Sequence, residues 1–166
     1  MSSGAVPGAR APAFRLPLAG GGERGLADIL RAGGGVLLFF KQGCTASGLV
    51  LSRLAPLAGA LQGEGRPLLV VAQETGEVAR ALHAAGGPAY PLAWEDAPYR
   101  VSSAYGIETV PTLLVIDGSG RVAARLTGFV KSEYLALGGL LERELALGRT
   151  PPVLDRPEEL PAVQPG

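Results

Sequence analysis

"VLLFFKQGCTASGLVLSRL", residues 36–54, contains the change of period that decides the fold. Val36–Phe40 is apolar without alternation, as expected of a strand buried on both faces. Further on, apolar positions 50, 51, 54, 57, 58 and 61 follow helical spacing across residues 47–62, with Pro56 expected to kink that helix. Between the two lies a short glycine turn carrying Cys44, the only cysteine of the chain. The strand–turn–helix reading puts Cys44 at or just before a helix N-terminus. Unpaired backbone N–H groups and the helix dipole favour an anion there, and the thiolate is the nucleophilic form of cysteine.

Local charge points the same way. No Asp or Glu occurs between Asp28 and Glu64, and Lys41 precedes the sulfur by three residues. Lys41 is therefore a candidate thiolate-stabilising cation. Ser47 follows Cys44 by one helical turn, so the two share a face. In a Cys-x-x-Cys redox pair the second sulfur would sit at this position. A hydroxyl there can donate a hydrogen bond to a thiolate but cannot attack a mixed disulfide. An inert buried thiol and a simple helix-starting serine are the plainer readings of the two residues.

Working outward, "AFRLPL" (13–18) alternates like an edge strand, and "GGG" (20–22) turns the chain into an N-terminal hairpin. "LADILRA" (26–32) is a short helix and "RPLLVVA" (66–72) a second buried strand. "TGEVARALHAAG" (75–86) is a helix with Thr75 as N-cap and Gly86 as C-cap. "PYRVSSAYG" (98–106) is a short helix. "TLLVI" (112–116), "DGSG" (117–120) and "RVAARLT" (121–127) read as strand, turn and strand. "SEYLALGGLLERELALG" (132–148) is a last helix with Ser132 as its cap. The order predicts an α/β domain over residues 12–147, a mixed sheet flanked by helices. Residues 1–11 read as a flexible lead-in. Residues 148–166 hold five of the 14 prolines, which excludes helix and central strand and predicts an extended, disordered tail.

The 166 residues are 47% hydrophobic and 18% charged, the balance of a globular core. Lys+Arg 15 and Asp+Glu 15 cancel, so no global field favours nucleic acid. The apolar run Val36–Phe40 is too short for a transmembrane segment. Met1–Ala11 lacks the apolar centre of a secretory signal, which makes a cytoplasmic location the expectation. One cysteine excludes an internal disulfide and a cysteine zinc site, and His83 alone leaves little else for a metal, so no cofactor is expected. Any redox chemistry must pair one protein sulfur with a thiol from outside.

"ETVPTLLVID" places Pro111 at the first position of a strand, where its missing N–H is harmless. With "APAFRLPLAGGGERGLADI", "VLLFFKQGCTAS", "AYGIETVPTLLVIDGSGRVAARLTGF" and the closing helix, the chain resembles the thioredoxin fold. The resemblance is to its TlpA/ResA-like, AhpC/TSA-like branch of small redoxins. It implies a cis Pro111 packed beside Cys44, and Val110 backbone pairing with an extended thiol or disulfide substrate. Gly43 and Thr45 would flank that substrate. The chain departs from the family at several points. Ser47 replaces the resolving cysteine, and Gly43 replaces a common aromatic. Leu38 stands where a buried acid often lies, and Ser52 where a helix proline is usual.

The function expected from the resemblance is monothiol thiol–disulfide exchange through Cys44. The partners are a protein or low-molecular-weight disulfide and an external thiol reductant. A redox-inactive binding or chaperone-like module is the second reading. A peroxiredoxin-like peroxidase is the third, weakened by Lys41 and Leu37 where that family has Thr or Ser and Pro. His83 reads as a solvent-facing helical residue. Trp94, Glu95 and Asp96 read as a loop that could rim the site.

Overall fold

The structure is a computed structural model and describes residues 4–86 and 90–166. Its centre is a five-stranded sheet of β3 (Gly35–Phe40), β4 (Leu68–Gln73), β5 (Leu92–Glu95), β6 (Thr112–Ile116) and β7 (Val122–Thr127). The spatial order is β5-β4-β3-β6-β7. β3 pairs parallel with β4 and antiparallel with β6, so it is the central strand. Every residue of β3 is buried. Val36, Leu38 and Phe40 enter one apolar cluster, while Leu37 and Phe39 enter the other on the opposite face. Alternation is absent from the sequence because both faces of the strand are covered.

The N-terminal hairpin is present, as β1 (Arg15–Pro17) against β2 (Glu23–Gly25). It touches the main sheet through a bridge between Leu18 and Ala93. Helix α1 (Leu26–Arg31) follows directly. On the side opened by β3, the single kinked helix expected over 47–62 is two helices, α2 (Thr45–Leu51) and α3 (Ala55–Gly63). Pro56 lies in the first turn of α3, where its missing N–H has no intrahelical partner to lose. It starts a helix rather than kinking one.

Helix α4 (Gly76–Ala84) is capped by Thr75, whose hydroxyl accepts from the Val78 N–H at 3.3 Å. β5 falls within the stretch read from sequence as a loop and pairs parallel with β4. Helix α5 (Arg100–Ala104) is shorter than the span expected. The last helix, α6 (Lys131–Glu144), begins one residue before Ser132, with Val130 at its cap position. Ser132 is therefore inside the helix.

The two tails depart most from expectation. Gly8 N–H and Ala11 N–H bond to the carbonyls of Val122 and Gly120, and Ala5 is buried against Tyr105. The lead-in, from residue 4 onward, is thus docked on the β7 edge. The C-terminal segment is ordered against the domain as well. Val153, Leu154 and Leu160 join the larger core cluster. Arg53 Nη1 donates to the Asp155 carbonyl at 3.2 Å and Lys131 Nζ to the Leu160 carbonyl at 2.9 Å. A strand β9 (Val163–Gln164) pairs antiparallel with β8 (Phe129–Val130). The prolines leave no α-helix or central strand, but Pro157 opens a short 3-10 turn over Pro157–Glu159, the apolar residues between the prolines find core, and basic side chains satisfy the exposed carbonyls.

Candidate functional site

The carboxyl end of β3 opens into the turn Lys41–Gly43, and Gly43 supplies its left-handed step at φ +85°. Gln42 N–H donates to a Glu74 carboxylate oxygen at 2.9 Å, which ties this turn to the loop after β4. Cys44 is the N-cap of α2, with φ −83° and ψ 119°. Its Sγ accepts from the Ser47 backbone N–H at 3.5 Å. The same sulfur donates to the Val110 carbonyl at 3.4 Å. Cys44 is half-buried, and its sulfur is held between the Ser47 N–H and the Val110 carbonyl.

Val110 belongs to the turn before β6, and the Val110–Pro111 peptide bond is cis. Thr112 is fully buried, and its hydroxyl donates to the Thr109 carbonyl at 2.7 Å. The Pro111 carbonyl accepts from Gly128 N–H at 2.8 Å. These two bonds fix the turn against β7 and hold the Val110 carbonyl at the sulfur. Cys44, Ser47, Val110, Pro111 and Gly43, which lie up to 68 positions apart in sequence numbering, therefore converge at one end of the sheet.

Two expected roles take a different geometry. Ser47 is buried, and its hydroxyl accepts from the Lys41 N–H at 3.5 Å. The donor to the sulfur is the Ser47 backbone. Lys41 directs its ammonium over the Tyr99 ring, 5.6 Å from the centroid, in a cation–π contact. Thr45 is the first residue of α2 and is exposed beside the sulfur.

Glu95 is not a rim acid. Its carboxylate is buried and accepts from the N–H groups of Val101 and Ser102 and from the Ser102 hydroxyl, which caps α5. Asp96 accepts from Ala97 N–H, a local turn contact. His83 is exposed, and its ring packs near Gly20 of the hairpin turn. Sequence reasoning missed Glu74 and Thr112, the residues that brace the two loops of the site. Glu74 has no motif because it acts through a backbone group 32 residues away, and Thr112 because its bond to the Thr109 carbonyl is indistinguishable in sequence from an ordinary strand threonine.

A cavity of about 310 Å³ lined in part by Arg24, Asp28, Arg66 and Pro67 lies at the opposite end of the parallel strands from Cys44. Among the described residues no cluster of three His, Cys, Asp or Glu side chains is placed to hold a metal ion. No helix among them is long and apolar enough to cross a membrane.

The sheet order, the flanking helices and the cysteine facing a proline turn define a thioredoxin-like fold. The AhpC/TSA family model matches residues 7–125, and the chain belongs to that family. Among curated proteins no relative matches the chain. Solved structures share the fold. A candidate thiol:disulfide interchange protein DsbE of Chlorobium tepidum is 22% identical with a TM-score of 0.72, covering 84% of this chain and 97% of its own. A candidate protein disulfide isomerase of Bacteroides thetaiotaomicron is 19% identical with a TM-score of 0.73, covering 89% and 96%. StoA of Bacillus subtilis is 16% identical with a TM-score of 0.62, covering 75% and 94%.

Proposed function

We propose that this protein carries out thiol–disulfide exchange by a monothiol route through Cys44. The observation that carries the reading is the seat of the sulfur, between the Ser47 N–H and the Val110 carbonyl beside Pro111. The N–H donor and the carbonyl fix where the sulfur points, beside the proline turn, so that once deprotonated it meets an incoming disulfide there. The Cys44 thiolate attacks one sulfur of a substrate disulfide. The Cys44–substrate S–S bond forms, the old S–S bond breaks, and the departing half leaves with the electron pair as a thiolate. A thiol from outside the chain then attacks the bound half, joins it in a new disulfide and returns Cys44 as thiolate. The proton of the incoming thiol ends on the released half.

Ser47 cannot perform the release, because its hydroxyl is not a resolving sulfur. Its part is the backbone donor and the fixed turn. Val110 and Pro111 present the backbone of their turn beside the sulfur, and Gly43 and Thr45 leave the approach open. The substrate is a protein or low-molecular-weight disulfide.

The test is incubation with glutathione disulfide near neutral pH, followed by intact mass. The expected result is one glutathione adduct on the folded chain, reversed by a small thiol and absent in Cys44→Ser. A folded chain that stays unmodified while the denatured chain reacts defeats the proposal. It then favours the fold as a binding module that kept the groove without the chemistry.

A further inference from the structure

Residues 161–166 run along the site. Lys131 N–H donates to the Ala162 carbonyl at 2.8 Å, and β9 pairs Val163 with Val130 and Gln164 with Phe129. The chain then passes over Gly128, where a side-chain carbon would stand 3.5 Å from the Gly166 nitrogen. Gly166 lies against the turn before β6. A side-chain carbon at position 166 would overlap the Val110 carbonyl oxygen and Thr109 Cγ2, with the Val110 carbonyl carbon at 3.0 Å. Only glycine fits that approach without displacement. The Val110 carbonyl is the group that holds Cys44 Sγ at 3.4 Å. One carbonyl is thus touched by the reactive sulfur and by residue 166.

This end of the segment is weakly held. Pro161, Ala162, Val163, Pro165 and Gly166 are exposed, and β9 has two residues. The stretch before it is anchored by buried Val153, Leu154 and Leu160. A short ladder with little buried apolar surface opens at low free energy, whereas the anchored part opens with the core. Among the described residues the Val110 N–H makes no backbone hydrogen bond. An extended polypeptide pairing there would need the space above Gly128 and Val110 that residues 161–166 fill.

We propose that residues 161–166 are an in-chain occupant of the peptide groove beside Cys44, and that they gate the sulfur by size. This rests on the groove being the substrate path of the exchange reaction above. With the segment in place, small reagents reach Cys44 and a polypeptide does not. With it displaced about Leu160, the Val110 backbone and the surface over Gly128 become free for an extended chain. The segment acts as a competing intramolecular strand, so its closed fraction lowers the apparent reactivity toward polypeptides.

The experiment compares Cys44 alkylation by N-ethylmaleimide with alkylation by an unstructured decapeptide carrying a maleimide. Three chains are used: the parent, Gly166→Leu, and a chain ending at Leu160. In both variants the peptide rate should rise at least about tenfold, with the N-ethylmaleimide rate within about twofold of the parent, as expected of a mostly closed gate. A peptide-to-small-reagent ratio equal in the parent and in Gly166→Leu overturns the gate. If the shortened chain does not fold, the full-length Gly166→Leu chain decides alone. Glutathione disulfide, run alongside, reads the chemistry separately. A raised maleimide ratio without any glutathione adduct supports the gate and removes exchange. An adduct with a flat ratio supports exchange and overturns the gate.

Discussion

Ser47 stands one helical turn after the sulfur, and its hydroxyl accepts from the Lys41 N–H inside the protein. Its own N–H, which any residue at this position would supply, reaches Cys44 Sγ. Ser47→Ala should therefore leave the glutathione-adduct rate within about threefold of the parent while lowering stability by about 1 kcal/mol, the usual net worth of one hydrogen bond. Adduct kinetics and urea unfolding measure the two effects. A loss of adduct formation in a folded Ser47→Ala chain would mean that the hydroxyl acts on the sulfur. Ser47→Cys probes the same geometry from the other side. Cys44 is the N-cap and residue 47 the third residue of α2, a spacing that lets two sulfurs meet. Mild oxidation of that variant should remove two hydrogens by intact mass and block alkylation at Cys44.

At the scale of elements, β5 and α5 depend on one acid. Glu95 ends β5 and accepts from two N–H groups and a hydroxyl at the start of α5. Ser102 Oγ in turn accepts from Gln73 at the end of β4 at 2.9 Å. Glu95→Ala leaves those buried donors without partners and should cost about 2–3 kcal/mol in urea unfolding, as for bonds to a charged group. The hairpin side has a milder counterpart in Asp28. The Gly25 N–H holds its carboxyl below the usual value of 3.8; burial opposes this, and Arg31, Arg15 and Arg24 assist. A depressed carboxylate contributes stability that is present above its unfolded pKa and lost as pH falls through its folded one. Asp28→Asn should therefore flatten the stability–pH curve below about pH 4, read by thermal melts across an acid series. Neither acid was legible in this role. "LAWE" is four residues between Pro91 and Pro98, too short to show a period, and a capping carboxylate looks the same in sequence as a rim acid. β3, β4 and β6 were legible because two-sided burial leaves a continuous apolar run. Pro56 was misread because proline ends one helix and begins another with equal ease, and only the break at residues 52–54 distinguishes the two.

For the whole molecule, residues 5–11 and 148–166 are both fastened to the domain, and residues 161–166 are fastened at the site. The cysteine turn and the proline turn could be read early, because each sits where a change of local period marks it. The tail could not. Its prolines limit regular structure to one short 3-10 turn and the two-residue β9 and say nothing about docking, and the family match stops at residue 125. Beside the buried Val153, Leu154 and Leu160, its polar anchor is Arg53, a residue of the α2–α3 break. Arg53 Nη1 reaches the carbonyls of Asp155 and Arg156 and the Glu159 carboxylate, and its carbonyl accepts from Asp155 N–H. Its side chain is 18% exposed, so the contacts with the two carbonyls are only partly screened by solvent. Arg53→Ala should cost about 1–3 kcal/mol and release residues 155–160 to limited proteolysis, because it removes charge-assisted bonds to an otherwise extended chain. If the anchor and the gate are one unit, the peptide-maleimide rate at Cys44 rises in Arg53→Ala, and the double variant with Gly166→Leu adds less than the sum of the two effects. Full additivity would mean that residues 155–160 anchor the tail without bearing on how residues 161–166 cover the groove.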